Sequence, residues 1–337
     1  MKLNDLKALI QANFKPTPEV KFKDVESATR NGILEYLKVE ELKDSTALKQ
    51  NKPLVMALIE EVIDELLPEK LQDRVGDFAE IKQYARDAEV VFTIKGVGKR
   101  RAFLTIKKGQ RGGLYQAARL DSKQMYLPIW TETVGVYVTL EEILLGKQSL
   151  QELMNNILDG FVERLYQQVI EALQAASNHV PDANKGAAAG IDTDQLDDII
   201  RVISAYGKPT IMGFQSVISK INNLTNIDTA NPNIPTSDLD EIKARGYVSM
   251  YKGGIPVVVL PNYIIDENTN DEWLLDESKL FVLPANEKPV KVALKGDLHI
   301  QEVPHPSGSI EQNAHKMLGV GILLYNNIGI YTDTDEE

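Results

Sequence analysis

The chain has 337 residues, 43% of them hydrophobic, a net charge of −12 and no cysteine. That length accommodates two or three domains. The absence of cysteine removes disulfides, thiolate metal sites and cysteine nucleophiles, and acidity of this size disfavours a general nucleic-acid coat.

No run of about 18 apolar residues occurs, so no membrane span is expected. The opening MKLNDLKALIQ lacks the apolar core of a signal peptide. These features fit a protein made in the cytoplasm, with no membrane among its partners.

Residues 1–84 read as a modular helical arm. Leu3, Leu6, Leu9 and Ile10 suggest a short helix that Pro16 and Pro18 break. A second helix is expected from Val25 to Leu42. A third, acidic with Glu60, Glu61, Asp64 and Glu65, is expected from Pro53 to Leu67 and to stop at Pro68. Three such pieces have little chance of a private core, so the arm should pack on something else, such as another copy.

Residues 88–127 change period. AEVVFTIKG and AFLTIKKG are β-branched and aromatic, LYQAARL offers a third strand, and glycines lie between and after them. The stretch reads as a long hairpin, too thin to be stable alone, that should dock on a partner surface. It is also the basic part of the chain. Residues 95–123 hold Lys95, Lys99, Arg100, Arg101, Lys107, Lys108, Arg111, Arg119 and Lys123 against the single acid Asp121, a net +8 that leaves −20 elsewhere. Docking on the acidic surface of another copy competes here with phosphate binding. Few aromatics are present for stacking on single strands.

YLPIWTETVGVYVT is a further strand region, and Thr139 with Glu142 spells a capping box for a short helix ending at Gly146. Ser149 and Glu152 spell a second one, opening residues 149–177. There Leu150, Leu153, Ile157, Phe161, Leu165, Val169 and Leu173 recur three or four apart. No proline interrupts the stripe, Gly160 is its weak point, and Leu153, Ile157, Phe161 and Leu165 are its expected core.

Residues 178–191 are a loop by composition. Beyond it, mixed α and β segments lack the regular alternation of a doubly wound sheet: a helix at Thr193–Tyr206, the buried strand PTIMGF, the helix QSVISKINNL, the helix LDEIKAR, and a YVSMYKG/IPVVVLP hairpin turning at Gly253-Gly254. KLFVLPA, the long strand VKVALKGDLHIQEV, the turn PHPSGS and the glycine-punctuated GVGILLYNNIGIYT follow, before an acidic tail.

Chemical motifs are weak. Gly96-Val97-Gly98-Lys99-Arg100 fails the spacing of a phosphate loop. Asp266, Asn268, Asn270 and Glu277 match four calcium-loop positions, but Asp271 stands where glycine is required. His179, His299, His305 and His315 have no zinc spacing and read as structural, with His315 placed in a short helix. Asp194, Asp197 and Asp198 read as a solvated helix start with no basic partner nearby. No cofactor, metal site or catalytic residue is expected.

In its order of elements the chain resembles the major capsid proteins of tailed bacteriophages, which have the HK97 fold. The resemblance rests on an N-terminal arm (1–87), an extended basic hairpin (88–127, the E-loop), a peripheral segment with the long spine helix (128–186, spine 149–177), an axial domain (187–289), the return strand and turn VKVALKGDLHIQEVPHPSGS (290–320), and the closing GVGILLYNNIGIYT with its tail (321–337). It implies an α+β fold and a non-enzymatic shell protein that assembles into hexamers and pentamers of an icosahedral head enclosing double-stranded DNA. The implied partners are other copies, a portal, scaffolding and decoration proteins, and non-specifically held DNA. Two alternatives stand beside it: an encapsulin-type compartment of the same fold, and a basic-hairpin nucleic-acid-binding protein.

Overall fold

The structure is a computed structural model that describes residues 3–12, 22–37, 45–95, 122–136, 149–224, 249–252, 254–264, 269–270, 273, 276–285, 288–304 and 310–335. Three helices open the chain: α1 (Leu3–Ala12), α2 (Phe22–Leu37) and α3 (Ser45–Val75). Helix α3 runs through both Pro53 and Pro68, so the expected stop at Pro68 does not occur. An interior proline costs about 3 kcal/mol. Here Leu66 and Leu67 before it, and Leu71 and Val75 after it, are all buried. At about 1.5–3 kcal/mol for each buried side chain, that packing outweighs the break. The acids occupy the complementary face.

The arm is therefore not an appendage without a core. Val55, Leu58, Ile59, Val62 and Ile63 of α3 join the main hydrophobic cluster of the same chain. Ile10 of α1 and Ile33 of α2 are fully buried in it. What the first three helices pack on is this chain's own body.

A four-stranded sheet in the order β1-β10-β11-β4 supports α3. Strand β1 (Ala79–Tyr84) is parallel to β10 (Val290–Pro304), β10 is antiparallel to β11 (Ile310–Ile322), and β11 is antiparallel to β4 (Trp130–Val136). His315 lies in β11, opposite Thr133 of β4, not in a helix. Between β1 and β4 the chain makes a two-stranded ladder of β2 (Val91–Lys95) and β3 (Ser122–Tyr126). Its base is held by its own chain: Val90, Phe92 and Leu127 cluster with Ala293 and Leu323. The tip of the expected hairpin, 96–121, lies outside the described residues, as do the Thr139/Glu142 capping box, LDEIKAR and His305.

The long helix is α4 (Leu150–Ala175), 26 residues and ~39 Å at 1.5 Å per residue. Ser149 is its N-cap, with extended backbone, but its hydroxyl makes no capping bond and is buried without a partner. The capping box is thus spelled but not made. Gly160 packs tightly on the sheet: a β-carbon there would lie 3.1 Å from a methyl of Val134 on β4.

A second sheet follows, six strands in the order β5-β12-β9-β6-β8-β7. Its strands are β5 (Lys185–Ala188), β6 (Pro209–Phe214), β7 (Met250–Tyr251), β8 (Ile255–Leu260), β9 (Lys279–Pro284) and β12 (Gly329–Asp333). One face is covered by α5 (Thr193–Ser204) and α6 (Gln215–Leu224), through Leu196, Ile199, Ile203, Val217 and Ile218. The other face continues the main cluster through Met212, Phe214, Phe281 and Ile330. Covered on both sides, β6 is buried at every residue, which is why PTIMGF carries no polar alternation. Strand β12 brings the end of the chain back beside β5 and β9.

Candidate assembly surface

The four expected core residues of the long helix are buried: Leu153 is 1% exposed, and Ile157, Phe161 and Leu165 are 0% exposed. Of the eight expected hairpin residues, Lys95 is the last residue of β2, paired in register with Ser122. Lys99, Arg100, Arg101, Lys107, Lys108, Arg111 and Arg119 lie outside the described residues. The glycine-rich Gly96–Arg100 turn lies there too, as do Asp266 and Asn268 of the calcium-like loop; its Glu277 accepts a 2.9 Å hydrogen bond from Asn262.

The acids of α3 form a groove of about 580 Å³ lined by Glu60, Glu61, Asp64, Glu65, Gln83 and Asp297. Because i and i+4 share a helix face, the four α3 carboxylates fall into two pairs. Glu61 and Glu65 face α1, where Lys7 donates to them at 2.7 and 2.5 Å and Gln11 donates to Glu65 at 2.6 Å. The hydrogen bonds to Glu61 and then Glu65 raise the Lys7 ammonium above its ordinary value. Glu60 and Asp64 face the sheet. Asp64 accepts the backbone N–H of Leu298 at 2.6 Å and the Lys316 ammonium at 2.5 Å; Glu60 accepts the N–H of Ile300 at 2.5 Å and lies 3.3 Å from His299. The sequence showed the acids but not these assignments, because the partners of Asp64 and Glu60 lie more than 200 residues away and those of Glu61 and Glu65 more than 50.

Where the two sheets meet, an aromatic clasp joins α3, α4 and the segment after β8. The Arg74 guanidinium sits 5.1 Å from the Tyr166 ring centroid and 5.9 Å from that of Tyr263, and donates to the Tyr263 hydroxyl. Tyr166 is fully buried and donates to the Pro261 carbonyl at 2.6 Å. Burial first of all pushes its phenol well above the ordinary range. Gln174 donates to the Asp276 carbonyl nearby.

The end of the chain is fixed by a second buried cluster. Asp333, 0% exposed, accepts from Lys220 at 2.6 Å, from the N–H of Gly190 at 2.9 Å and from that of Asp335 at 3.0 Å. Burial works to raise its carboxyl, but the Lys220 bond and the two N–H groups together hold it below the usual range. Asp192 caps α5, accepting from the N–H of Asp194 at 2.9 Å. Asp197, expected to be solvated without a basic partner, pairs with Lys252 and accepts from Tyr251 at 3.1 Å. That partner is 55 residues away, beyond any local pattern.

Among the described residues no group of three His, Asp or Glu could hold a metal ion, and no helix is long and apolar enough to cross a membrane. What the surface offers is charge in two separated forms: an acidic groove on α3, and a ladder whose continuation is basic.

Comparison with known proteins agrees with this picture. No curated protein sequence matches the chain. Among solved structures, the satellite phage P4 procapsid with its size determination (Sid) protein superposes with a TM-score of 0.50 at 12% identity, over 80% of this chain and 90% of that one. The capsid of cyanophage P-SCSP1u gives 0.48 at 12% identity, over 76% and 86% of the two chains. The SrpI encapsulin complex from Synechococcus elongatus PCC 7942 gives 0.45 at 11% identity, over 75% and 85%. At these identities only the P4 likeness carries weight, and it shows the fold alone. The family match is broader: the family described as "SPbeta prophage-derived putative capsid protein YonB" covers residues 11–331. The chain belongs to this phage capsid protein family, with an HK97-like fold and the role of a major capsid protein of the virion.

Proposed function

We infer that this capsid protein closes its shell from hexamers and pentamers around double-stranded DNA, and that the basic hairpin of one copy docks on the acidic α3 groove of the next. In this reading 88–127 is the E-loop and 149–177 the spine. Residues 128–186 with 290–320 form the peripheral domain, and 187–289 with 321–337 form the axial domain. Lys95, Lys99, Arg100, Arg101, Lys107, Lys108, Arg111 and Arg119 are the interface residues. A portal, scaffolding and decoration proteins are further partners, and the chain performs no catalysis.

The observation that carries this is the match of charges. A segment of net +8 continues from a ladder anchored on its own chain, while five carboxylates line one groove elsewhere on that chain. Oppositely charged patches steer association and fix register. Each exposed ion pair adds only about 0–1 kcal/mol, but a closed shell repeats every contact many times.

The test is a charge reversal and its compensation. Lys99→Glu with Arg100→Glu and Arg101→Glu should leave the subunit folded and stop shell assembly, read by electron microscopy and sedimentation. Adding Glu61→Lys, which leaves Lys7 paired with Glu65, should recover part of the assembly. Normal shells from the triple reversal would refute the docking. Tight, salt-sensitive DNA binding by a free subunit that no longer assembles would favour the nucleic-acid reading.

A further inference from the structure

The polar seam between α3 and the long hairpin has a construction that the shell reading does not use. Strand β1 pairs with β10 from Val290 to Lys295 and ends at Tyr84. Beyond that point no strand covers the outer edge of β10 among the described residues. The β10–β11 register also shifts there. Lys295 lies opposite Met317, and the next pair is His299 with His315, so β10 spends four residues where β11 spends two. Gly296 makes this possible with a φ of +67°, a region that only glycine enters freely. A bulge of this kind bends a strand and breaks its ladder locally.

The freed groups are taken up by side chains. The N–H groups of Leu298 and Ile300 go to Asp64 and Glu60, one helical turn apart on α3. The carbonyl of Gly296 accepts from Lys316, whose ammonium also holds Asp64, each at 2.5 Å. Lys316 is 6% exposed. Two carboxylates therefore accept the N–H groups of β10 that a further strand would accept, and a lysine of β11 holds one of them. Open space borders the seam on both sides: a groove of about 240 Å³ beside Tyr84 and Gly296, and one of about 540 Å³ beside Arg86, His299 and His315. On the opposite edge the β11–β4 ladder runs from Gln312 to Leu318 without a register shift.

We propose that this seam is a lockable joint: the outer half of the hairpin, Leu298–Pro304 with Ile310–Lys316, swings about the bulge with the uninterrupted β11–β4 ladder as its continuous edge, and Asp64 and Glu60, joined by Lys316, lock it to α3. Asp64 and Glu60 hold the β10 backbone, and Lys316 reaches Asp64 from within the ribbon, where it lies in register with Glu132. Lys316 closes it by tying three elements together: it lies on β11, bonds to the bulged backbone of β10 and pairs with α3. The joint belongs to the single chain and stands whether or not the docking described above is correct. In a shell whose copies meet at more than one angle, it would let one sequence fit them all.

The test uses the full-length chain. Lys316→Met removes the tie without touching the acceptors of Leu298 and Ile300. Hydrogen exchange at 298–304 and 310–315 should then quicken together by about tenfold or more, a change worth about 1.4 kcal/mol, while 290–295 and α4 keep their protection. Exchange that quickens at Leu298 alone, equally throughout the sheet, or not at all overturns the proposal. Glu60→Ala is the second variant; its freed N–H can turn to water in the open groove, so folding should survive, and the same outer residues should quicken. The chain has no native cysteine, so Asp73→Cys with Gln301→Cys gives two specific spin-label sites across the joint. The distance distribution should be narrow in the otherwise wild-type chain and broad with Lys316→Met. An unchanged narrow distribution refutes the swing.

Discussion

Phe161→Ala tests whether the long helix is the core of the single subunit. The side chain is 0% exposed and sits near the middle of α4, which spans Leu150–Ala175. Removing the ring forfeits about 2–3 kcal/mol of transfer free energy. It also leaves a hole of about 100 Å³, which at about 24 cal/mol per Å³ adds about 2 kcal/mol if the site does not collapse. The sum, about 4–5 kcal/mol, is a large fraction of the 5–15 kcal/mol that holds a typical domain together. Urea unfolding of the unassembled subunit, followed by circular dichroism at low concentration, should show the midpoint fall by that amount divided by the slope. Glu163→Ala, on the exposed face of the same helix, should stay within about 0.5 kcal/mol of wild type. If the two variants unfold alike, the stripe stabilises contacts between copies and not the fold, and the reasoning fails.

Two further outcomes follow from buried contacts. Asp333 has its carboxyl held low, so the stability it supplies is full above the ordinary carboxylate range and is lost as pH falls through the lowered value. Asp333→Asn should cost about 1–3 kcal/mol at pH 7; urea midpoints should show this gap closing below about pH 4, and a gap that stays constant would refute the linkage. Gly160→Ala gains helix propensity of about 1 kcal/mol but pushes a methyl against Val134. It should therefore stabilise the Val134→Ala chain more than the wild type, and equal effects in both backgrounds would show that the contact does not matter.

What the sequence made legible was what local period controls. The helix at 150–175, the buried strand at 209–214 and the long strand at 290–304 each announce themselves through spacing or unbroken apolar runs. The misreadings occur where distant contacts decide. Pro68 is a correct local signal for a helix end, overruled by the burial of Leu71 and Val75. Ser149 has the right residue in the right place for a cap and makes no capping bond. His315 lies in a strand because β4 and β10 flank it. Asp192, the residue that does cap α5, was written in the sequence two residues before the acids that drew notice.

The charge ledger changes most once the partners are known. A net −20 outside the basic segment suggests a uniform acidic surface, but several of those acids are already engaged within the chain. Asp333 is sealed by Lys220, and Asp64 by Lys316. Breaking such buried pairs costs far more than breaking surface ones, so they are not available to a neighbour. Glu61 and Glu65 differ: their side chains are 54% and 48% exposed, and they share one lysine between them. A helix that turns about 100° per residue has thus divided one acidic run into a pair that locks its own hairpin and a pair left facing outward. Of these four acids, only the outward pair can meet the basic segment of another copy. Because each such contact is screened and weak, docking that depends on it must be reversible in salt before the shell closes and must gain its permanence from repetition.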